Sequence, residues 1–327
     1  MKRRIHILFT STFITPFITE DVEILQRHFS IHRSTARGWS APLKFFPQVL
    51  KADITFSWFA SVYSSLLILL TKILRKKSII VLGGGDAARI PELRYGIWNS
   101  KWKSALLRYA LPRATKVIAV DDSLKRDAIE LAHYGGENIS IIPTGYDSER
   151  WKPDGEKENL VLTVANCPDE QRIKLKGIDQ FIQAAQCLPE FRFVAVGISE
   201  HVQQHLKLPH NVELHGFTSQ NELLHFYRRA KVYCQFSRRE GLPNSLCEAM
   251  LCECVPVGTK TGGIPTAIGN AGFLVNGNDM EQTATAIQQA MNNHAEKSKE
   301  ARNQIIERFS LEQRERRLKE LINGLCG

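Results

Sequence analysis

Apolar residues along the chain fall into short unbroken runs separated by longer stretches of helical period. Ile5–Phe9, Ile54–Ser57, Ile79–Leu82 and Val117–Val120 read as fully buried strands, with helices expected over Ser61–Leu74 and Lys101–Leu111. Pro143-Thr-Gly-Tyr-Asp makes a turn, and the charged run Trp151–Asn159, broken by Pro153 and Gly155, marks a domain boundary. The pattern then restarts. Leu160–Ala165, Phe191–Val196, Val212–His215, Val232–Phe236 and Val255–Gly258 read as strands. Between and after them, Ile178–Ala185, Glu222–Arg229, Leu246–Leu251 and Glu281–Met291 read as helical, and Leu311–Ile322 as a charged amphipathic helix. Apolar strands alternating with helices predict an α/β protein: two tandem doubly wound domains, residues 1–155 and 156–310, followed by a terminal helix within 311–327. In such folds ligands bind at the carboxyl ends of the strands, so a cleft is expected where the two sheets present those ends.

Length and composition agree with that division. The chain has 327 residues, 43% hydrophobic and 24% charged, enough for two domains with cores of ordinary size. Its net charge of +9 is uneven: residues 1–155 hold 23 Lys or Arg against 14 Asp or Glu, whereas residues 156–327 hold 20 of each. The seven cysteines all lie in the second half, mostly inside apolar segments, which suits buried thiols in a reducing compartment. Cys252 and Cys254 lack the further ligands a zinc site needs. The basic Met1-Lys-Arg-Arg start leads into too short an apolar run for a signal peptide. Ile54–Thr71 is free of charge but carries Thr55, Ser57, Ser61, Ser64 and Ser65, so a strand followed by a buried helix is expected there rather than a span.

The candidate chemistry is concentrated between Phe236 and Val275. Glu240 and Glu248 stand with seven residues between them; Gly241-Leu242-Pro243-Asn244-Ser245 follows the first, and Gly262-Gly263 follows the next strand. A carboxylate has two acceptor oxygens, suited to the paired hydroxyls of a sugar. Backbone amides at the start of a helix after residues 241–245 favour a phosphate. Lys176-Gly177 closes the charged segment Asp169–Lys176, expected as a loop after the first strand of the second domain. Gly83-Gly84-Gly85-Asp86 follows a strand without the glycine spacing of a dinucleotide site, and no phosphate-binding Walker motif is present.

These residues together resemble the retaining glycosyltransferases of family 4, which have the GT-B fold of two facing Rossmann-like domains. The resemblance implies a nucleotide-diphosphate sugar as donor, no bound metal or other cofactor, and a terminal helix that crosses back to the first domain. It assigns Glu240 to the donor sugar, at the end of a strand, Glu248 to the ribose at a helix start, and Lys176 to the diphosphate. It also implies an arginine directly after the first strand of the second domain. That position reads Ala165-Asn166 here, so Arg172 or Lys174 is the expected replacement. In the first domain the family histidine corresponds to Gly83, while Asp86 is retained to orient an acceptor or to cap a helix. Tyr233 and His215 are expected to be structural.

The resemblance places a glycan or lipid-linked acceptor on the basic first domain of a cytoplasmic enzyme. Lys72, Arg75, Lys76, Lys77, Lys101, Lys103 and Arg108, with Trp98 and Trp102 as exposed anchors, suit an anionic membrane face or a lipid diphosphate. Two other readings stay open: a synthase or phosphorylase using a soluble sugar acceptor, and a degenerate subunit of a glycosylation complex. Nothing in the chain supports nucleic-acid binding.

Overall fold

The computed structural model describes residues 4–35, 41–277 and 279–326. Residues 1–3, part of the basic lead-in to the first strand, lie outside them. Contacts divide the chain into two units, Met1–Gly145 with Leu311–Gly327, and Tyr146–Ser310.

The first unit begins with β1 (His6–Ser11), α1 (Pro16–Gln26), β2 (Ser30–Ser34), α2 (Ala41–Lys51) and β3 (Ile54–Trp58). It continues through α3 (Val62–Ile73), β4 (Lys77–Leu82), α4 (Lys101–Ala110), β5 (Lys116–Ala119), α5 (Asp122–Ala132) and β6 (Ile139–Ile141). Its sheet is parallel, in the order β2-β1-β3-β4-β5-β6. The charge-free Ile54–Thr71 segment divides into β3, buried at every position, and most of α3. No helix among the described residues is long and apolar enough to cross a membrane.

The second unit holds β7 (Glu158–Cys167), α6 (Glu170–Lys176), α7 (Ile178–Cys187), β8 (Arg192–Ile198), α8 (Glu200–Gln203), β9 (Val212–His215) and α9 (Gln220–Arg229). After these come β10 (Ala230–Gln235), α10 (Asn244–Leu251), β11 (Val255–Thr259), α11 (Ile264–Ile268), β12 (Phe273–Val275), α12 (Met280–Asn292) and α13 (His294–Phe309). Its sheet is again parallel, in the order β12-β11-β10-β7-β8-β9. Strand order reverses between β7 and β10, the place where a doubly wound sheet opens a crevice for ligand.

The last helix, α14 (Leu311–Cys326), belongs to the first unit. Arg314 anchors it. Its guanidinium, 2% exposed, donates to both carboxylate oxygens of Asp21 on α1, at 2.5 and 2.6 Å, and to the carbonyls of Ile142 and Pro143. The Trp58 indole donates a further bond to Asp21 at 2.8 Å. A buried pair is tolerable only when its remaining donors and acceptors are also satisfied, and here they are.

The structure differs from the sequence expectations in α6, at Glu240 and at Trp98. Residues 170–176, expected as a loop, form helix α6. The Asp169 carboxylate accepts from the Arg172 amide, Ile173 and Leu175 are buried, and Gly177 at φ +68° ends the turn. Two apolar positions among so many charges hide that helix from a periodicity count. Glu240 does not end a strand: β10 stops at Gln235, and the glutamate sits five residues on, in the loop before α10. Trp98 is 4% exposed, its indole donating to the Asp86 carbonyl at 2.8 Å, so it is no surface anchor.

Candidate functional site

The loops at the reversal of the second sheet bring Lys176 and Glu240 into direct contact. Lys176 is the last residue of α6, reached from β7, and Glu240 follows β10. Lys176 Nζ lies 2.6 Å from Glu240 Oε1, with the two side chains 20% and 13% exposed. Two glycines make the approach possible. A Cβ on Gly177 would stand 2.1 Å from the Phe236 carbonyl oxygen, and one on Gly262, at φ +54°, 2.1 Å from the carbonyl oxygen of Glu240 itself. Lys176-Gly177 and Gly262-Gly263 are therefore mechanically part of one site.

Beneath the pair runs a buried polar network that sequence reasoning missed. Gln235 Nε2 donates to Ser237 Oγ at 2.8 Å and to Glu240 Oε1 at 3.3 Å. Its Oε1 accepts from the Tyr233 hydroxyl at 3.3 Å, and Ser245 Oγ lies at 3.5 Å. The available signal was a glutamine inside the otherwise apolar strand Val232–Phe236, a polar residue that burial alone would not favour.

Glu248 lies one turn into α10, partly buried, with its Oε2 accepting from the Tyr227 hydroxyl at 3.1 Å. Burial pushes its carboxyl from about 4.5 up to about 7, against the opposing pull of that hydroxyl and of Arg150. Tyr227 is fully buried, edge-on to Trp151, and fixes one carboxylate oxygen so that the other keeps a set direction.

Gly241, Leu242 and Pro243 are buried and lead into α10, whose first residue, Asn244, accepts at Oδ1 from the Tyr146 hydroxyl at 2.8 Å. In this unit α6, α9 and α12 each begin on a capping side chain, from Asp169, Ser219 and Asp279. No side chain caps α10. Its first-turn amides carry the positive end of the helix dipole, a place suited to an anion.

The two candidate replacement cations differ in placement. Arg172 and Lys176 are four residues apart on α6 and share a face; burial pushes the Cys167 thiol up to about 12 against the opposing pull of both cations. Lys174 is exposed, on the opposite side of the helix. Asn166, where the family arginine was expected, is exposed at an irregularity in the pairing of β7 with β8 between Val164 and Cys167.

In the first unit the Asp86 carboxylate accepts from the amides of Gly84 at 2.7 Å, Ala60 at 3.0 Å and Gly83 at 3.1 Å. Burial raises its pKa while those amides oppose the rise. It ties the end of β3 to the end of β4. A side chain at Gly83 would meet the Phe59 ring at 2.5 Å, so this chain fills with an aromatic the space a residue 83 side chain would need. Among the described residues no group of three or more His, Cys, Asp or Glu is placed to hold a metal ion.

Residues 147–308 match the family model of glycosyl transferases group 1. The structure of Anabaena HepE in complex with UDP superposes with a TM-score of 0.77 at 17% identity, covering 98% of this chain and 100% of that one. The chain has the GT-B fold. Among curated proteins, the gpi3 subunit of phosphatidylinositol N-acetylglucosaminyltransferase from Schizosaccharomyces pombe is 24% identical over 176 residues, 50% of this chain and 38% of that subunit. An alpha-galactosylglucosyldiacylglycerol synthase from Streptococcus pneumoniae is 30% identical over 136 residues, 36% of each protein. The chain thus covers well under two thirds of either relative's length. The family match coincides almost end to end with the second unit, which carries the Lys176–Glu240 contact.

Proposed function

We propose that this protein is a retaining, metal-independent glycosyltransferase that moves a sugar from a nucleoside diphosphate to a glycan or lipid-linked acceptor. The observation that carries the reading is the Lys176–Glu240 contact at the strand-order reversal of the unit matching the glycosyl transferase family. Glu248, oriented by Tyr227, accepts from the ribose hydroxyls. Lys176, the Arg172 side chain and the amides of residues 241–245 at the start of α10 hold the diphosphate. Charge accumulates on that group as the glycosidic bond breaks, so fixed cations stabilise the transition state more than the ground state. No metal is required where these groups neutralise it.

Glu240 faces the sugar. A carboxylate held by a lysine ammonium is a weak nucleophile, which favours attack by the acceptor on the face the leaving phosphate vacates. The phosphate then takes the acceptor proton, and configuration at the anomeric carbon is kept. Asp86 acts as a positioning residue for the Gly83-Gly84 loop. A lipid-linked acceptor is supported by relatives whose names contain phosphatidylinositol and diacylglycerol. A cytoplasmic site of action fits the buried free thiols. The test is turnover of nucleotide-sugars with the product anomer read by NMR. An α-linked donor giving an α-linked product, with turnover depressed in Glu240→Gln, supports the reading; an inverted product, or unchanged turnover in the variant, rejects it.

A further inference from the structure

Helix α2 covers only part of the first sheet, and the space beside it is a cavity with basic walls. Phe45 and Val49 of α2 pack with Leu8 of β1 and Leu67 of α3 in one core cluster, which sets the helix over β1 on the side toward α3. The edge strand β2 lies on the other side. Between it and α2 is a cavity of about 760 Å³, the size of a small-molecule site. Register decides which side chains form its floor. Leu8 faces α2, and in a parallel pair the residues side by side, and those two apart, face the same way. His32 is paired with Leu8, and Ser30 with His6 two residues earlier. His6, Ser30 and His32 therefore turn toward α2 and line the cavity. Its wall is one stripe of α2, where Lys44, Gln48 and Lys51 follow at helical spacing.

Chemistry selects the ligand. Two lysines and two imidazoles face one space, and among the described residues that line it none is an Asp or Glu. Asp53, whose carboxylate accepts from the His6 amide at 2.9 Å, is not one of them. The lysine ammonium groups disfavour a metal cation at the imidazoles and match the charge of a phosphate monoester dianion. Gln48 Oε1 is buried with no hydrogen-bond donor among the described residues. A buried acceptor left alone costs free energy, so the ligand should bring hydroxyl donors as well as the phosphate. Position separates this cavity from the chemistry of sugar transfer. His6 and Ser30 are the first residues of β1 and β2, so the cavity lies toward the amino ends of the strands. Reacting ligands of doubly wound sheets sit at the carboxyl ends, where the Gly83–Asp86 loop follows β4.

We propose that this cavity is an effector site for a soluble sugar phosphate or polyol phosphate, with Lys44 and Lys51 on the phosphate and His6, Ser30, His32 and Gln48 on the hydroxyls. The site needs nothing from the second unit and stands whether or not the transferase reading holds. Calorimetric titration of the full chain with glucose 6-phosphate, glucose and inorganic phosphate tests it, with the histidine ring resonances followed by NMR. Flotation with phosphatidylcholine vesicles, with and without phosphatidylinositol, tests whether a lipid headgroup takes the same place. Glucose 6-phosphate should bind saturably and at least about tenfold more tightly than either fragment, and it should shift the His6 and His32 resonances. Both lysines are exposed, so Lys44→Ala/Lys51→Ala should fold normally and weaken binding at least about tenfold, the loss of charge-assisted bonds. Gln48→Leu should weaken it about fivefold, the loss of one neutral hydrogen bond. Lys176→Gln should leave it unchanged, and nucleotide-sugar binding should be unchanged in the α2 variants. Binding lost in Lys176→Gln but kept in the lysine double variant would overturn the proposal in favour of the second unit's site. Phosphate binding as tightly as glucose 6-phosphate would reduce the cavity to an anion patch. Binding to phosphatidylinositol vesicles alone would assign it to a lipid, and no binding of any probe would remove the site.

Discussion

The two units are built from the same kind of parallel sheet but spend their polar residues in opposite ways. In the second unit they converge inward at the β7–β10 reversal, where Lys176, Glu240, Gln235 and Tyr233 are linked by hydrogen bonds. In the first, the buried charge is structural: Asp21 with Arg314 holds the terminal helix, and Asp86 holds two loops. Its basic residues stand outside, beside exposed apolar side chains. A site that must grip a fixed diphosphate and ribose constrains residue types at fixed spacings. A surface that meets an acceptor constrains only charge and area, and many sequences satisfy it.

The comparison is broken most severely by Arg314→Ala. It leaves the Asp21 carboxylate buried without its partner and should cost about 3–5 kcal/mol, read from urea denaturation of the full chain. Donor affinity of the folded protein should be unaltered, because the second unit does not use this pair. A loss below about 1 kcal/mol would mean that the pair does not anchor α14. Lys176→Gln is the converse. Stability should change little, while turnover should fall about 10²–10³-fold, the usual effect of removing one fixed donor to developing charge. A fall of less than about fivefold would take Lys176 out of the diphosphate site.

Proton linkage at Glu248 gives a smaller effect of defined sign. Its carboxyl is raised in the folded state to about 7, so folding favours the neutral form. This group's contribution to stability is therefore present at low pH and lost as pH rises from about 4.5 to about 7. Donor binding through the carboxylate runs the other way, weakening as pH falls below about 7. The Tyr227 hydroxyl stabilises the charged form, so Tyr227→Phe should move the binding midpoint to higher pH. A calorimetric pH series on both proteins decides it, and a midpoint that stays in place detaches Tyr227 from the site. Smallest is the contrast on α6. Arg172→Ala should weaken donor binding about tenfold, the loss of one charge-assisted bond, and Lys174→Ala by less than about twofold. Equal effects would mean that helix orientation does not select the cation.

The sequence was most legible where burial and spacing act together. Strands β7, β8 and β11 stand out because each holds a continuous apolar run, and the Glu240–Glu248 interval stands out through the family resemblance. What stayed hidden has physical causes. Helix α6 rests on a cap and two apolar residues amid charges. Gln235 becomes visible as a functional residue only once the strand end is known. Phe59, at φ +70° and filling the space beside Gly83, depends on a backbone conformation that residue type does not announce. The exposed apolar residues Leu43, Ile73 and Trp102 cannot be told from core positions without knowing which side of α2, α3 and α4 faces the sheet.

On the proposed function, the second unit binds a nucleoside diphosphate sugar through Glu248 and Lys176. Calorimetric titration of the wild-type chain with UDP-, GDP-, ADP- and TDP-sugars, repeated with Glu248→Ala, tests it most directly. The wild type should bind one donor selectively, and the variant should lose that binding. A well-folded protein that binds none of them, or a variant that binds as tightly as the wild type, would contradict it.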